Sequence, residues 1–171
     1  MTSVRAFLGQ RCREYRDFQI AFTLLTANFF FPAISYAIAP EIASEQVSRI
    51  NEILGGGPYG DPGAEVSVRF WRFLGAANVM TLALMCFLMQ LDLRKYFVVL
   101  LPLTFLKAYN AGLFFLGWVF VPEHRAFLAI SVFDFLSALA FVLFSRRAKR
   151  AIADLPDSEL IPKPRAGRAP A

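Results

Sequence analysis

The chain has 171 residues and a formal net charge of +5, a length that suits one domain and excludes a large multidomain enzyme. Hydrophobic residues make up 57% and charged residues 18%, with 19 Phe and a mean hydropathy of +0.49, against roughly 45–50% and 25% in soluble domains. A soluble body of this size has too much surface to cover with so few polar residues, so the bilayer is the expected solvent.

Residues 1–17 read as a basic cytoplasmic N-terminus, followed by a first apolar span at 18–39. Arg residues precede this span and Ala37-Ile38-Ala39 resembles a cleavage site, but the apolar run exceeds the roughly 7–15 residues of a signal peptide. Pro40 would also follow the cut, and three more spans come after it. An uncleaved helix is therefore expected.

The next segment, 40–70, is the longest loop. Val47, Ile50 and Leu54 fall on one helical face, with Glu45, Arg49 and Glu52 on another. This spacing predicts a short amphipathic helix over 41–54, lying at the outer interface. Gly55, Gly56 and Gly57 end it, and Asp61-Pro62 can start the next helix. The three glycines lack the Gly-Lys-Ser/Thr of a phosphate loop, so a turn is the simpler reading.

Further spans follow at 73–91, 96–121 and 126–144. Each is long enough to cross about 30 Å of hydrocarbon, and continuous apolarity without alternation favours helices over barrel strands. The expected fold is an all-α, four-transmembrane-helix bundle. Thirteen Lys and Arg flank one side of these spans and three the other, which places both termini in the cytoplasm. Tyr15 and Tyr96 then fall at the inner interface, with Tyr36, Trp71 and Trp118 at the outer one. After the last span, Arg146, Arg147, Lys149 and Arg150 should contact lipid headgroups. The Pro-rich tail to residue 171 reads as disordered from Leu155 onward.

Catalytic constellations are not evident. His124 is the one histidine, Cys12 and Cys86 do not form a Cys-x-x-Cys pair, and no zinc or nucleophile motif occurs. Met85, Cys86 and Met89 could offer soft ligands to a metal, but sulfur side chains are routine apolar fillers. No cofactor, metal or nucleic acid is expected.

Polar residues at mid-membrane depth are the candidate site: Asn28, Asn78, Thr81, Lys107, Asn110 and Asp134, with Arg72 at the outer edge of the second span. Thr104, Lys107 and Asn110 share a stripe, as do Ser131, Asp134 and Ser137. An unpaired charge facing lipid costs about 2.5–3.5 kcal/mol on insertion scales, so Lys107 and Asp134 should point inward. Counted from the cytoplasmic ends of their spans they are nearly level; counted from the outer ends they differ by about 9 Å. That leaves both direct pairing and a rival Arg72–Asp134 contact open. Ala77/Thr81 and Ala108/Gly112 have small-xxx-small spacing suited to close helix packing. Pro32 and Pro102 free the carbonyls of Asn28 and Val98.

Four spans, cytoplasmic ends, a long first outer loop and the run Phe-Trp-Arg-Phe-Leu-Gly-Ala-Ala-Asn at 70–78 resemble small bacterial inner-membrane proteins. The likeness is architectural and carries no site residues with it. Two functions follow as expectations: a structural or accessory component of a membrane assembly, or a small transporter or binder of a lipophilic or protonatable molecule. The bilayer is the expected partner, together with a second copy or another membrane protein.

Overall fold

A computed structural model of the chain describes residues 10–56 and 66–160, the side chains at 40, 41, 43, 44 and 66–72 excepted. Six α-helices occur among them: α1 (Arg13–Ile38), α2 (Pro40–Ile53), α3 (Val66–Leu91), α4 (Leu93–Tyr96), α5 (Leu100–Phe120) and α6 (Arg125–Ala151). No strand occurs among the described residues. Four segments are long and apolar enough to cross a membrane: Arg13–Ile38, Phe73–Leu91, Leu93–Phe120 and Arg125–Ala151.

Local chemistry sets the boundaries. Pro40 opens α2 at the position where its missing N–H is harmless, so the long apolar run is divided into a span and a shorter amphipathic helix. The helix predicted at 41–54 lies one residue earlier. Further along, the Asp92 carboxylate accepts from the Lys95 amide at 3.0 Å and caps α4. The expected continuous span over 96–121 is interrupted by a 3-10 turn at Phe97–Val99. Pro102, in the first turn of α5, cannot donate to the Val98 carbonyl, and its ring crowds that group.

α1 is the organising element. It packs along α3 on one side and against α6 on another, while α5 and α6 form a tight antiparallel pair. The core is aromatic along α1: Phe18 and Phe22 have ring centroids 4.3 Å apart, and Phe22 lies 5.6 Å from Phe141 of α6. Leu82, Cys86 and Met89 from α3, with Leu100 and Leu103 from α5, complete it. Tyr15, expected at the interface, is only 1% exposed and belongs to this core. Large apolar side chains face outward on every span, including Leu24, Phe31, Leu84, Leu101, Phe105, Phe120, Phe135 and Leu136. No more than a third of any spanning window is buried inside the chain, which suits a body solvated by lipid.

α2 docks on the bundle by a polar contact. Asn51 is fully buried, and its Oδ1 accepts from the Ala126 amide at 3.1 Å. It therefore caps the first turn of α6 from a residue 75 positions earlier. Gly55 takes φ +78°, and a Cβ on Gly56 would lie 2.5 Å from the Glu123 carbonyl oxygen. These two glycines let the chain turn tightly under the α5–α6 connection. Ile42 and Ile53 remain exposed at 53% and 83%.

Order also extends past the last span. α6 continues to Ala151, and 152–160 fold back with Ile152 and Leu160 in the core. The Arg94 guanidinium donates to the Asp157 carboxylate and to the carbonyls of Ile152 and Leu155. Within the stretch from Leu155 that composition reads as disordered, residues 155–160 are held by buried Leu160 and by the arginine clamp. The expected helix start at Asp61-Pro62 and the tail from 161 onward lie outside the described residues.

Candidate functional site in the bundle interior

The short turn between α5 and α6 makes these helices antiparallel neighbours. Gly117 allows their close approach, since a Cβ there would meet the Phe127 ring at 3.1 Å. Their polar stripes face each other. Lys107 Nζ donates to Asp134 Oδ1 at 2.5 Å, and Asn110 Nδ2 donates to Asp134 Oδ2 at 3.1 Å. One turn away, the Ser131 hydroxyl donates to the Ala111 carbonyl at 2.8 Å.

Both charged side chains are withdrawn from the surface, Lys107 to 7% and Asp134 to 3% exposure. Aromatic rings close over the ammonium: it lies 4.5 Å from the Phe29 centroid and 5.7 Å from that of Phe133. Ring faces are electron-rich and favour a nearby cation. Each carboxylate oxygen therefore has a donor, and the cation has a carboxylate and two rings. Mutual neutralisation lets two charges sit where either alone would be expensive. The contacts of Gly117 with Phe127, Ala111 with Ser131 and Asn110 with Asp134 set a register in which the lysine's four-carbon stem has about one helical turn to bridge.

The other three mid-span residues do not join this set. Asn28, Asn78 and Thr81 are exposed, and the Thr81 hydroxyl donates to the Ala77 carbonyl of its own helix. The inward line of α3 runs through Ala76, Leu82, Ala83, Cys86 and Met89, and Asn78 and Thr81 fall to one side of it. Asn28 adjoins buried Phe29, about 100° around the helix. Ala77, Ala108 and Gly112 are exposed as well, so the small-xxx-small steps do not mediate packing within this chain. The side chain of Arg72 lies outside the described residues.

A second polar node was not singled out from the sequence. Gln90 Nε2 donates to the Phe22 carbonyl at 3.1 Å, to Thr26 Oγ1 at 2.7 Å and to the Cys86 carbonyl at 3.2 Å. Thr23 Oγ1 donates to Gln90 Oε1 at 2.7 Å, and Gln19 Nε2 to the Gln90 carbonyl at 3.1 Å. The spacing of Gln19, Thr23 and Thr26, at i, i+4 and i+7 on one face, was the available signal. Asn51 and Arg94 likewise carry structural roles that composition alone does not mark.

Beyond the bundle core, Arg146, Arg147 and Arg150 are exposed. The Lys149 ammonium sits 3.7 Å from the Phe97 ring centroid, so this member of the basic cluster is engaged by the 3-10 turn.

No protein-family profile matches this chain, and neither a curated protein nor a solved structure is significantly similar to it.

Proposed function

We propose that this chain is a structural or accessory component of a membrane assembly, set in a bacterial inner membrane with both termini in the cytoplasm. The observation that carries this reading is the closed state of the Lys107–Asp134–Asn110 set. Both Asp134 oxygens have a donor, and the Lys107 ammonium has that carboxylate and two aromatic rings, which favours a latch between helices over a site that exchanges protons or ligand. Outward-facing Ala77/Thr81 and Ala108/Gly112 steps, together with exposed Asn28 and Asn78, suit contact with helices of another copy or another membrane protein. The cytoplasmic orientation rests on the distribution of Lys and Arg, and the basic end of α6 then meets the inner leaflet.

Proteoliposomes carrying a pH-sensitive dye test the reading. The wild-type chain should dissipate an imposed pH gradient no faster than protein-free vesicles, and Lys107→Met/Asp134→Leu should retain the wild-type assembly size by native electrophoresis. Faster dissipation that the double substitution abolishes would replace the structural reading with the transporter.

A further inference from the structure

The start of α1 and the end of α6 converge at the basic end of the bundle and leave an open recess of about 690 Å³ between them. Its lining carries both signs of charge. Arg13, Arg147 and Arg150 supply cations, Glu14 and Asp17 supply carboxylates, and Phe144 forms an apolar wall. Neither Arg147 nor Arg150 has an ion-pair partner among the described residues. Asp17 is held only loosely, with Arg13 at 3.8 Å and Arg16 at 3.9 Å. Along α6, Phe144 is followed toward the membrane interior by Leu143, Leu139 and Leu136, exposed at 44%, 45% and 55%.

We propose that this recess binds the headgroup of an aminophospholipid, with the phosphate held by Arg147, Arg150 and Arg13 and the primary ammonium by Glu14 and Asp17. The proposal deepens the lipid contact of the preceding section and rests on its membrane reading. Guanidinium groups match phosphate oxygens in a fixed fork. The carboxylates select among phosphate-bearing lipids. A primary ammonium offers three N–H donors to them, a trimethylammonium offers none, and a glycerol headgroup brings no cation to offset two nearby negative charges. Phe144 and the leucines beyond it give the acyl chains an apolar path away from the headgroup. The N-terminal end of α1 adds a favourable partial positive charge to the same corner.

Native mass spectrometry of the full chain in detergent micelles tests this, using phosphatidylethanolamine, phosphatidylcholine and phosphatidylglycerol with identical acyl chains, and soluble glycerophosphoethanolamine. Wild type should retain phosphatidylethanolamine over the other two by about tenfold, the scale of one charged hydrogen bond. Arg147→Gln/Arg150→Gln should lower that retention by a similar factor, and Glu14→Gln/Asp17→Asn should move the preference toward phosphatidylglycerol. Arg147→Lys/Arg150→Lys, which keeps the charge, supplies the comparison should the glutamine pair not fold. Equal retention of all three lipids, a wild-type preference for phosphatidylglycerol, or a preference unmoved by the acidic substitutions would overturn the proposal. Binding of glycerophosphoethanolamine as tight as that of the lipid would overturn the lipid source in favour of a soluble ligand. Failure of the membrane reading would show separately, as a chain that stays monodisperse without detergent.

Discussion

At the scale of single residues, the Lys107–Asp134 contact governs what substitutions do. Lys107→Met removes one charge and strands the other, so a loss of about 3–5 kcal/mol is expected. Lys107→Met/Asp134→Leu should recover much of that loss, because a buried pair replaced by apolar residues of similar volume is often neutral. Thermal unfolding in detergent across the double-mutant cycle measures the coupling, and additive losses would contradict direct pairing. Asn110→Leu should cost less, about 1.5–3 kcal/mol for a hydrogen bond to a charged group, since Asp134 keeps its ammonium. The stripes at 104–110 and 131–137 made this meeting readable as an option in the sequence. Depth counted along idealised helices could not decide it, because neither the 3-10 turn at Phe97–Val99 nor the reach of the lysine enters such a count.

Among the helices, distant polar residues do the joining. Asn51→Ala should remove the cap that α2 lends to α6, at a cost of about 1 kcal/mol by comparison with ordinary N-caps. Hydrogen exchange should then rise in the first turn of α6 and leave the α1–α3 pair unchanged. Arg94→Met should free 152–160 from the bundle, detected as new proteolysis in that stretch with the spans still protected. Amphipathic spacing marked α2 to within a residue. Its mode of attachment was not legible, because the buried anchor is a polar side chain and the apolar Ile42 and Ile53 stay exposed. The contacts made by 155–160 were not legible for a related reason. A Pro-rich stretch with a few aliphatic residues becomes ordered once a neighbouring arginine and a ready-made core receive it.

For the molecule as a whole, the distribution of Lys and Arg predicts the labelling pattern. In a Cys12→Ser background, a membrane-impermeant thiol reagent added outside cells should label Tyr59→Cys and leave Gly167→Cys unmodified; the reverse would invert the topology. Helical content, four apolar spans and the division at Pro40 follow from the sequence by itself, because bilayer thickness and proline chemistry act on short stretches of chain. Which polar residues meet was decided only by tertiary structure. Asn28, Asn78 and Thr81 lie well inside their apolar spans, as Lys107 and Asp134 do, yet are exposed rather than joined to them. Depth is a property of position along one helix, whereas a partner depends on the rotation of each helix about its axis. That rotation is set jointly, by the aromatic packing of α1 on α6, the Gln90 node between α1 and α3, and the close approach at Gly117.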